Sequence, residues 1–294
     1  MALTSLSSLL SDAREGQYAI GYFEAWDTYS MEAVVEAAEA EGAPVMIGFG
    51  GMMMEPEWLS KYGIEPLGAY GQAIAERMSV PAALILNEVP GAEHAIRGID
   101  AGFNVVMADT CDEPIERNIE LTKLLVERAH PAGVEVQAEL GRLPSFGEDD
   151  SSVLTDPDEA VRFVSETSVD CLAVSIGNMH LRTQGTVGVD IDRLRRIRQA
   201  VDVPLVIHGG SGLDDDAVRE LIREGVTLFH VGTTMKRAML VEAKTALDAV
   251  AGSEDYQGLV GSRKETDFLR RGRDAIIDIV RARIRLYGAS GKAA

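Results

Sequence analysis

Eight short apolar runs recur along this chain, and each is followed by a stretch with helical spacing. The runs are YAIGYF (18–23), PVMIGF (44–49), PAALIL (81–86), FNVVMA (103–108), VEVQAEL (134–140), CLAVSI (171–176), PLVIH (204–208) and TLFHV (227–231). Most are continuously apolar rather than alternating, the pattern of parallel strands buried on both faces. The intervening helices carry boundary residues of their own. Ser30 stands as an N-cap and Gly42 as a stop for one, Pro114 opens another, and aspartates open three more, a charge suited to the positive helix N-terminus. Eight β/α alternations over this length predict a closed (β/α)8 TIM barrel, with a doubly wound open sheet as the alternative. The chain, 1–294, reads as one barrel domain. Residues 233–250 form a helix after the eighth strand, a polar loop follows, and a long helix over 268–287 completes a C-terminal helical extension at 251–294.

No run approaches the ~20 uncharged apolar residues that a membrane span needs. The N-terminal MALTSLSSLLSDAREGQ has no basic segment ahead of its apolar residues, so it reads as an amphipathic first helix rather than an export signal. Cys111 and Cys171 lie in unrelated surroundings, and no disulfide between them is expected in a chain of this kind. The cytoplasm is the expected compartment. The chain holds 47 acidic against 28 basic residues, a net charge of -19. Such a surface repels nucleic acid and anionic membranes, so neither is expected as a partner. An anionic small molecule would need a local cluster of N–H groups or arginine against this field.

In a barrel of this type the site lies at the C-terminal ends of the strands. The exits read Glu24 and Asp27, Gly50-Gly51, Asn87-Glu88, Asp109, Glu139, His180, then His208 with Gly209-Gly210-Ser211-Gly212, and Gly232-Thr233. That is more acid and imidazole than turn chemistry requires. His180 and His208 follow neighbouring strands, and imidazole with carboxylate is a good donor set for a divalent transition metal. Glu88, Asp109 and Glu139 are the available carboxylates. The sequence IHGGSGL, followed by VGTT, places glycine-rich turns after strands seven and eight, where barrels frequently hold phosphate on backbone N–H groups. His94 and His130 lie on helical patterns, and His230 lies within strand eight, able to face the site.

These residues resemble those of the class II, metal-dependent ketose-bisphosphate aldolases of the fructose and tagatose type. YAIGYFEAWDTYSMEAVVEAAEAEGAPVMI is similar to the first βα unit of that family, and AIRGIDAGFNVVMADTCDEPIERNIELTKLLVERAH to its third and fourth. VQAELG, SIGNMH, VPLVIHGGSGL and the tail YGASGKA match later signatures. The resemblance implies metal-binding roles for His180 and His208, a phosphate site at Gly209 to Gly212 with Ser211 and at Gly232-Thr233, and acids near the metal at Asp109 and Glu139. It also implies a sugar-phosphate substrate and a homo-oligomer, dimer or tetramer. Arg182 is a further candidate for the substrate anion.

The match breaks at LILNEVPG. The family carries a His-x-Asp-His block after strand three, whose Asp is the acid/base and whose last His is a metal ligand. Here Asn87 stands for that Asp and Glu88 for that His. EAWD replaces an Asn-rich first loop, His230 replaces an Asn that touches substrate, and Leu181 replaces a Gly. Glutamate for histidine can keep a metal, since two histidines with one carboxylate is a common catalytic zinc set. Asparagine for aspartate cannot keep proton transfer, because an amide does not titrate. The expected metal set is therefore Glu88, His180 and His208, with zinc the first choice of ion. Glu24 and Asp27 are the candidates to replace the lost acid, beside Asn87 and Glu139 as further catalytic residues. The leading expectation is an aldolase-type lyase acting on a phosphorylated ketose-like substrate. The alternatives are an isomerase, epimerase or decarboxylase on a sugar phosphate, and a non-catalytic sugar-phosphate binder.

Overall fold

A computed structural model describes residues 3–51, 54–144, 153–179, 188–252 and 254–293. Eight parallel strands close into a barrel in sequence order, with β8 returning to pair with β1. They are β1 (Ile20–Ala25), β2 (Val45–Gly50), β3 (Ala82–Pro90), β4 (Val105–Asp109), β5 (Glu135–Leu140), β6 (Cys171–Val174), β7 (Leu205–Ile207) and β8 (Val226–Val231). All eight fall on the apolar runs of the sequence, and the open-sheet alternative is set aside. Every residue of β2, β6, β7 and β8 is buried. Continuous rather than alternating runs follow from this two-sided burial.

The helices before β4 are α1 (Leu6–Glu15), α2 (Thr28–Glu41), α3 (Pro56–Trp58), α4 (Ile64–Ala75) and α5 (Ala92–Asp100). Then come α6 (Ile115–Ala129), α7 (Pro157–Thr167), α8 (Ile191–Ala200) and α9 (Asp215–Arg223). After β8 lie α10 (Thr233–Ala249), α11 (Tyr256–Leu259) and α12 (Phe268–Leu286). No described helix is long and apolar enough to cross a membrane. Cys111 and Cys171 are both free thiols.

The start of α2 differs from the sequence expectation. Its N-cap is Asp27, not Ser30. The Asp27 carboxylate accepts from the Ser30 backbone N–H at 2.7 Å, while the Ser30 hydroxyl accepts from the backbone N–H of Asp27 at 3.0 Å. Serine at the third helical position thus completes a reciprocal capping box in place of the usual glutamate. The helix ends as expected at Gly42, which adopts the left-handed conformation that lacks a steric cost only for glycine.

The tail YGASGKA folds back on α2. Ser290 and the guanidinium groups of Arg281 and Arg285 all bond the Glu41 carboxylate. Gly291 N–H donates to the Glu41 carbonyl and Ala293 N–H to that of Gly42. These contacts, the Arg285 bond first, hold the Glu41 carboxyl down to about 2. The first residue of this tail, Tyr287, stacks on Phe229 with ring centroids 4.8 Å apart, and only 1% of it is exposed. Its hydroxyl is buried with no hydrogen-bond partner among the described residues. Tyr287→Ala is therefore expected to cost about 3 kcal/mol or more, as for other buried aromatics. Tyr287→Phe should lie within about 0.5 kcal/mol of wild type, since it removes an unpaired buried hydroxyl. Denaturant unfolding of both variants checks the pair. A Phe variant as unstable as the Ala variant would show that the hydroxyl, not the ring, matters.

Candidate active site

Glu88 owes its position to an extra residue in β3. Against β4, Leu86 pairs with Val106 and Val89 with Ala108, so the register slips between them. A bulge of this kind bends a strand and re-aims its side chains. Glu88 takes φ of 47°, a left-handed conformation that costs a side chain with a Cβ roughly 1–2 kcal/mol. The strand runs on to Pro90, four residues past the apolar run that the sequence ends at Leu86. On the other side Asn87 stays in register with Gly50 of β2. Strain concentrated at one acidic residue facing a pocket is the kind that functional sites retain.

That bulge brings Glu88 to Glu139 of β5 and to His208, which directly follows β7. Ligand atoms of the three lie within 4.8 Å of one another. Nδ1 of His208 is 3.0 Å from Glu88 Oε1 and 3.7 Å from Glu139 Oε2. Asn178, in the SIGNMH segment, donates its amide to the His208 carbonyl at 3.0 Å and fixes the backbone there. Burial raises the Glu139 carboxyl; the nearby His208 opposes this, while Glu88 and Asp109 add to it. Burial of His208 disfavours its cation, yet the carboxylates of Glu88 and Glu139 outweigh that and raise its pKa. The buried Glu139 and the partly exposed Glu88 thus share one imidazole, and Oε1 of Glu139 has no hydrogen-bond partner among the described residues. A divalent cation fits this donor set, matching the surplus negative charge with oxygen and imidazole ligands. Of the expected metal set the structure joins Glu88 and His208 and adds Glu139; His180 lies outside the described residues.

Around the cluster sit groups that could orient a substrate. Asn87 donates Nδ2 to Glu88 Oε2 at 2.7 Å, and its buried Oδ1 has no partner among the described residues. His230 stacks on His208 with centroids 4.0 Å apart and meets Tyr22 edge-on at 4.6 Å. The Tyr22 hydroxyl is likewise buried and unpartnered among the described residues. Its pKa is pushed well up by burial, and further by Glu24 and Glu88. Tyr22, Asn87, Glu88, His208 and His230 all line one pocket at the C-terminal mouth of the barrel.

The pocket continues onto the glycine turns. Gly209, Ser211, Gly232 and Thr233 line it. Gly209 has φ of 69°, and any Cβ there would run into the Met179 carbonyl, so only glycine fits. Gly210–Gly212 form a short 3-10 turn in which the Gly212 N–H is spent on the Gly209 carbonyl at 3.0 Å. Gly212 therefore closes the turn instead of pointing an N–H outward. Ser211 Oγ accepts from the Thr234 N–H at 3.3 Å and ties the turn to the start of α10. The positive end of that 17-residue helix faces the pocket at Thr233, an arrangement that attracts anions. Arg182 lies outside the described residues.

Glu24 also lines this pocket. It is packed so closely that a Cβ on Gly232 would meet its carboxylate and one on Gly50 would lie 2.9 Å from its Cδ. Lys236, on the first turn of α10, bonds Glu24 Oε1 at 2.5 Å and lies 5.7 Å from the Trp26 ring centroid. Asp27 is placed differently: its Oδ1 caps α2, and it is not among the residues lining the pocket. Tyr22, Lys236 and Gln137, whose amide lies 3.0 Å from Nε2 of His208, are site residues that strand-exit reasoning passes over. Tyr22 and Gln137 lie within strands rather than at their ends. Lys236 carried one usable signal, its place one turn into the helix after VGTT.

A family model described as fructose-bisphosphate aldolase class-II matches residues 4–292. Over 301 residues the sequence is 31% identical to a fructose-bisphosphate aldolase of Geobacillus stearothermophilus, with all of both chains covered. It is 32% identical over 297 residues to a 6-phospho-5-dehydro-2-deoxy-D-gluconate aldolase of Halalkalibacterium halodurans, covering 100% of this chain and 99% of that one. Among solved structures, the YdjI aldolase of Escherichia coli superposes with a TM-score of 0.82 at 29% identity, covering 99% of this chain and 100% of that one.

Proposed function

The chain belongs to the class II fructose-bisphosphate aldolase family and is an aldolase-type lyase, and we propose that it makes or breaks a carbon–carbon bond in a phosphorylated ketose. The observation that carries this is the Glu88–Glu139–His208 cluster opening into a pocket bordered by two glycine turns and a helix N-terminus. The family depends on divalent metal, and zinc is the ion we assign, because imidazole with carboxylate is a usual zinc donor set. Glu88, Glu139 and His208 would hold it, with His180 the further ligand expected from the sequence. When bound, the ion supplies a Lewis acid for the ketose carbonyl.

The chain's own groups divide the remaining work. Ser211 with the Gly209–Gly210 turn and Gly232-Thr233 at the start of α10 receive the substrate phosphate, with Arg182 a further candidate from the sequence. Lys236 offsets the charge that Glu24 brings to this end of the pocket. Asn87 holds Glu88 through Nδ2 and offers Oδ1 to a substrate hydroxyl. Cleavage needs a base for the proton of the hydroxyl beyond the scissile bond, and an amide cannot serve. Glu24 is the base we assign, being the pocket carboxylate outside the cation cluster; Asp27 is spent on its helix cap. His230 and Tyr22 flank the same space. The same proposal includes a cytoplasmic homo-oligomer, dimer or tetramer.

The test is to incubate zinc-loaded protein with ketose mono- and bisphosphates and assay triose phosphate release. Release is expected. Interconversion of ketoses without release would identify an isomerase or epimerase, and metal-independent binding without turnover would identify a binder. Ser211→Asp should raise KM for the productive substrate at least about tenfold, a 1.4 kcal/mol loss from one carboxylate facing an anion. Its zinc content should be unchanged, and an unchanged KM would remove the phosphate site from the turn.

A further inference from the structure

Gln137 sits in β5 with 1% of its surface exposed. One end of its amide lies 3.0 Å from Nε2 of His208 and 3.1 Å from Nε2 of His230. A single amide end therefore meets the same nitrogen on two histidines whose rings stack with planes 20° apart. A half-turn of a primary amide exchanges oxygen for nitrogen at that point, and the two orientations impose opposite imidazole tautomers.

If the amide NH2 faces the rings, both Nε2 atoms accept and each neutral ring carries its proton on Nδ1. The nitrogen would then serve three acceptors with two hydrogens, because Met107 Sδ lies 3.2 Å away as well. If the carbonyl oxygen faces the rings, each Nε2–H donates to it, and the oxygen has two lone pairs for the two donors. The NH2 then turns toward the Cys171 sulfur, 3.6 Å from the other end of the amide. Chemistry at the far side of His208 decides between them. Nδ1 is the atom facing Glu88 and Glu139, so a cation held there takes its lone pair, and the ring's proton must sit on Nε2. Ring N–H groups opposite a metal are typically anchored by an acceptor, and loss of that acceptor costs roughly 10–100-fold in metal affinity.

We propose that Gln137 is the positioning residue of the cation site: its side-chain carbonyl accepts Nε2–H from both His208 and His230. One amide then couples the two rings. A cation on His208 fixes the oxygen toward both imidazoles, and His230, which lines the substrate pocket, becomes the tautomer whose Nδ1 accepts a hydrogen bond. Substrate hydroxyls, rather than substrate acceptors, are what that nitrogen then recognises. This inference rests on the cation reading of the Glu88–Glu139–His208 cluster.

The experiment compares full-length wild type, Gln137→Glu and Gln137→Met. Zinc affinity is measured by competition with a chromophoric chelator, and imidazole tautomers by long-range proton–nitrogen NMR. Gln137→Met, of similar volume but without an acceptor, should weaken zinc binding by about 10–100-fold. Gln137→Glu offers only acceptors, so it should bind zinc within about threefold of wild type or tighter. Zinc-loaded wild type should show His230 protonated on Nε2. Wild-type affinity in Gln137→Met would overturn the proposal, as would an equal loss in Gln137→Glu. His230 protonated on Nδ1 in zinc-loaded wild type would overturn it without any variant, should Gln137→Met fail to fold. A wild type that binds no zinc fails differently: it removes the cation reading itself, and this inference with it.

Discussion

His208→Ala is expected to strip the protein of its divalent ion and lower turnover by at least about 10³-fold, the equivalent of the several kcal/mol that a metal Lewis acid contributes. His208 reaches both carboxylates of the cluster and the groups behind it. It lies 3.0 Å from Glu88, 3.7 Å from Glu139 and 3.0 Å from Gln137, and it stacks on His230. Metal analysis should read about one ion per wild-type chain and background in the variant, and chelation of wild type should reproduce the loss reversibly. Because the carboxylates raise the His208 pKa, protons compete with the ion, so zinc affinity should weaken as pH falls through that raised value. His94→Ala is the control. His94 bonds the Pro90 carbonyl and Ser60, outside the cluster, and its loss should leave metal content unchanged. Full metal occupancy in His208→Ala would sink the assignment.

The barrel was legible because its strands are buried on both faces, which forces uninterrupted apolar runs with little else to imitate them. The pairing of His208 with a carboxylate from β3 was legible too, since strand exits in a closed barrel converge whatever their distance in sequence. What escaped was anything that depends on register. The run AALIL followed by Asn-Glu-Val-Pro-Gly reads as strand then turn, because Pro90 and Gly91 are strong turn residues. The bulge that keeps Glu88 inside β3 arises from pairing with β4, and pairing is not written in either strand alone. Gln137 was hidden similarly. Inside a strand a glutamine looks like a tolerated polar residue until two imidazoles, one just past β7 and one in β8, are seen against it. Asp27 looked catalytic for a local reason, as an acid at a strand exit. Three residues later Ser30 completes the cap that claims it, a capping box that reads as one only when serine is allowed in the glutamate position.

Glu24→Gln is expected to lower turnover about 10²- to 10⁴-fold, the usual cost of losing a general acid/base, and to remove one limb of the pH profile. The change is nearly isosteric, so packing against Gly50 and Gly232 stays. What goes is the titrating group and the ion pair with Lys236. These two losses must be separated, because a mispositioned neighbour could also slow the reaction. Lys236→Met breaks the same ion pair yet leaves the carboxyl in place. It should cost far less in kcat, raise KM through the lost cation, and keep both limbs. Asp27→Asn should stay within a few-fold of wild type, since asparagine caps a helix about as well as aspartate. Asn87→Asp adds a titratable group beside Glu88 without touching Glu24. In the Glu24→Gln background it should restore part of the lost limb if the substrate's hydroxyl passes near Asn87, which pairs with Gly50 directly beneath the Glu24 carboxylate. The measurement is kcat and KM against pH for each variant on the productive ketose phosphate. If Glu24→Gln keeps both limbs and nearly full kcat, proton transfer does not run through Glu24, and Glu88 becomes the carboxylate to replace next.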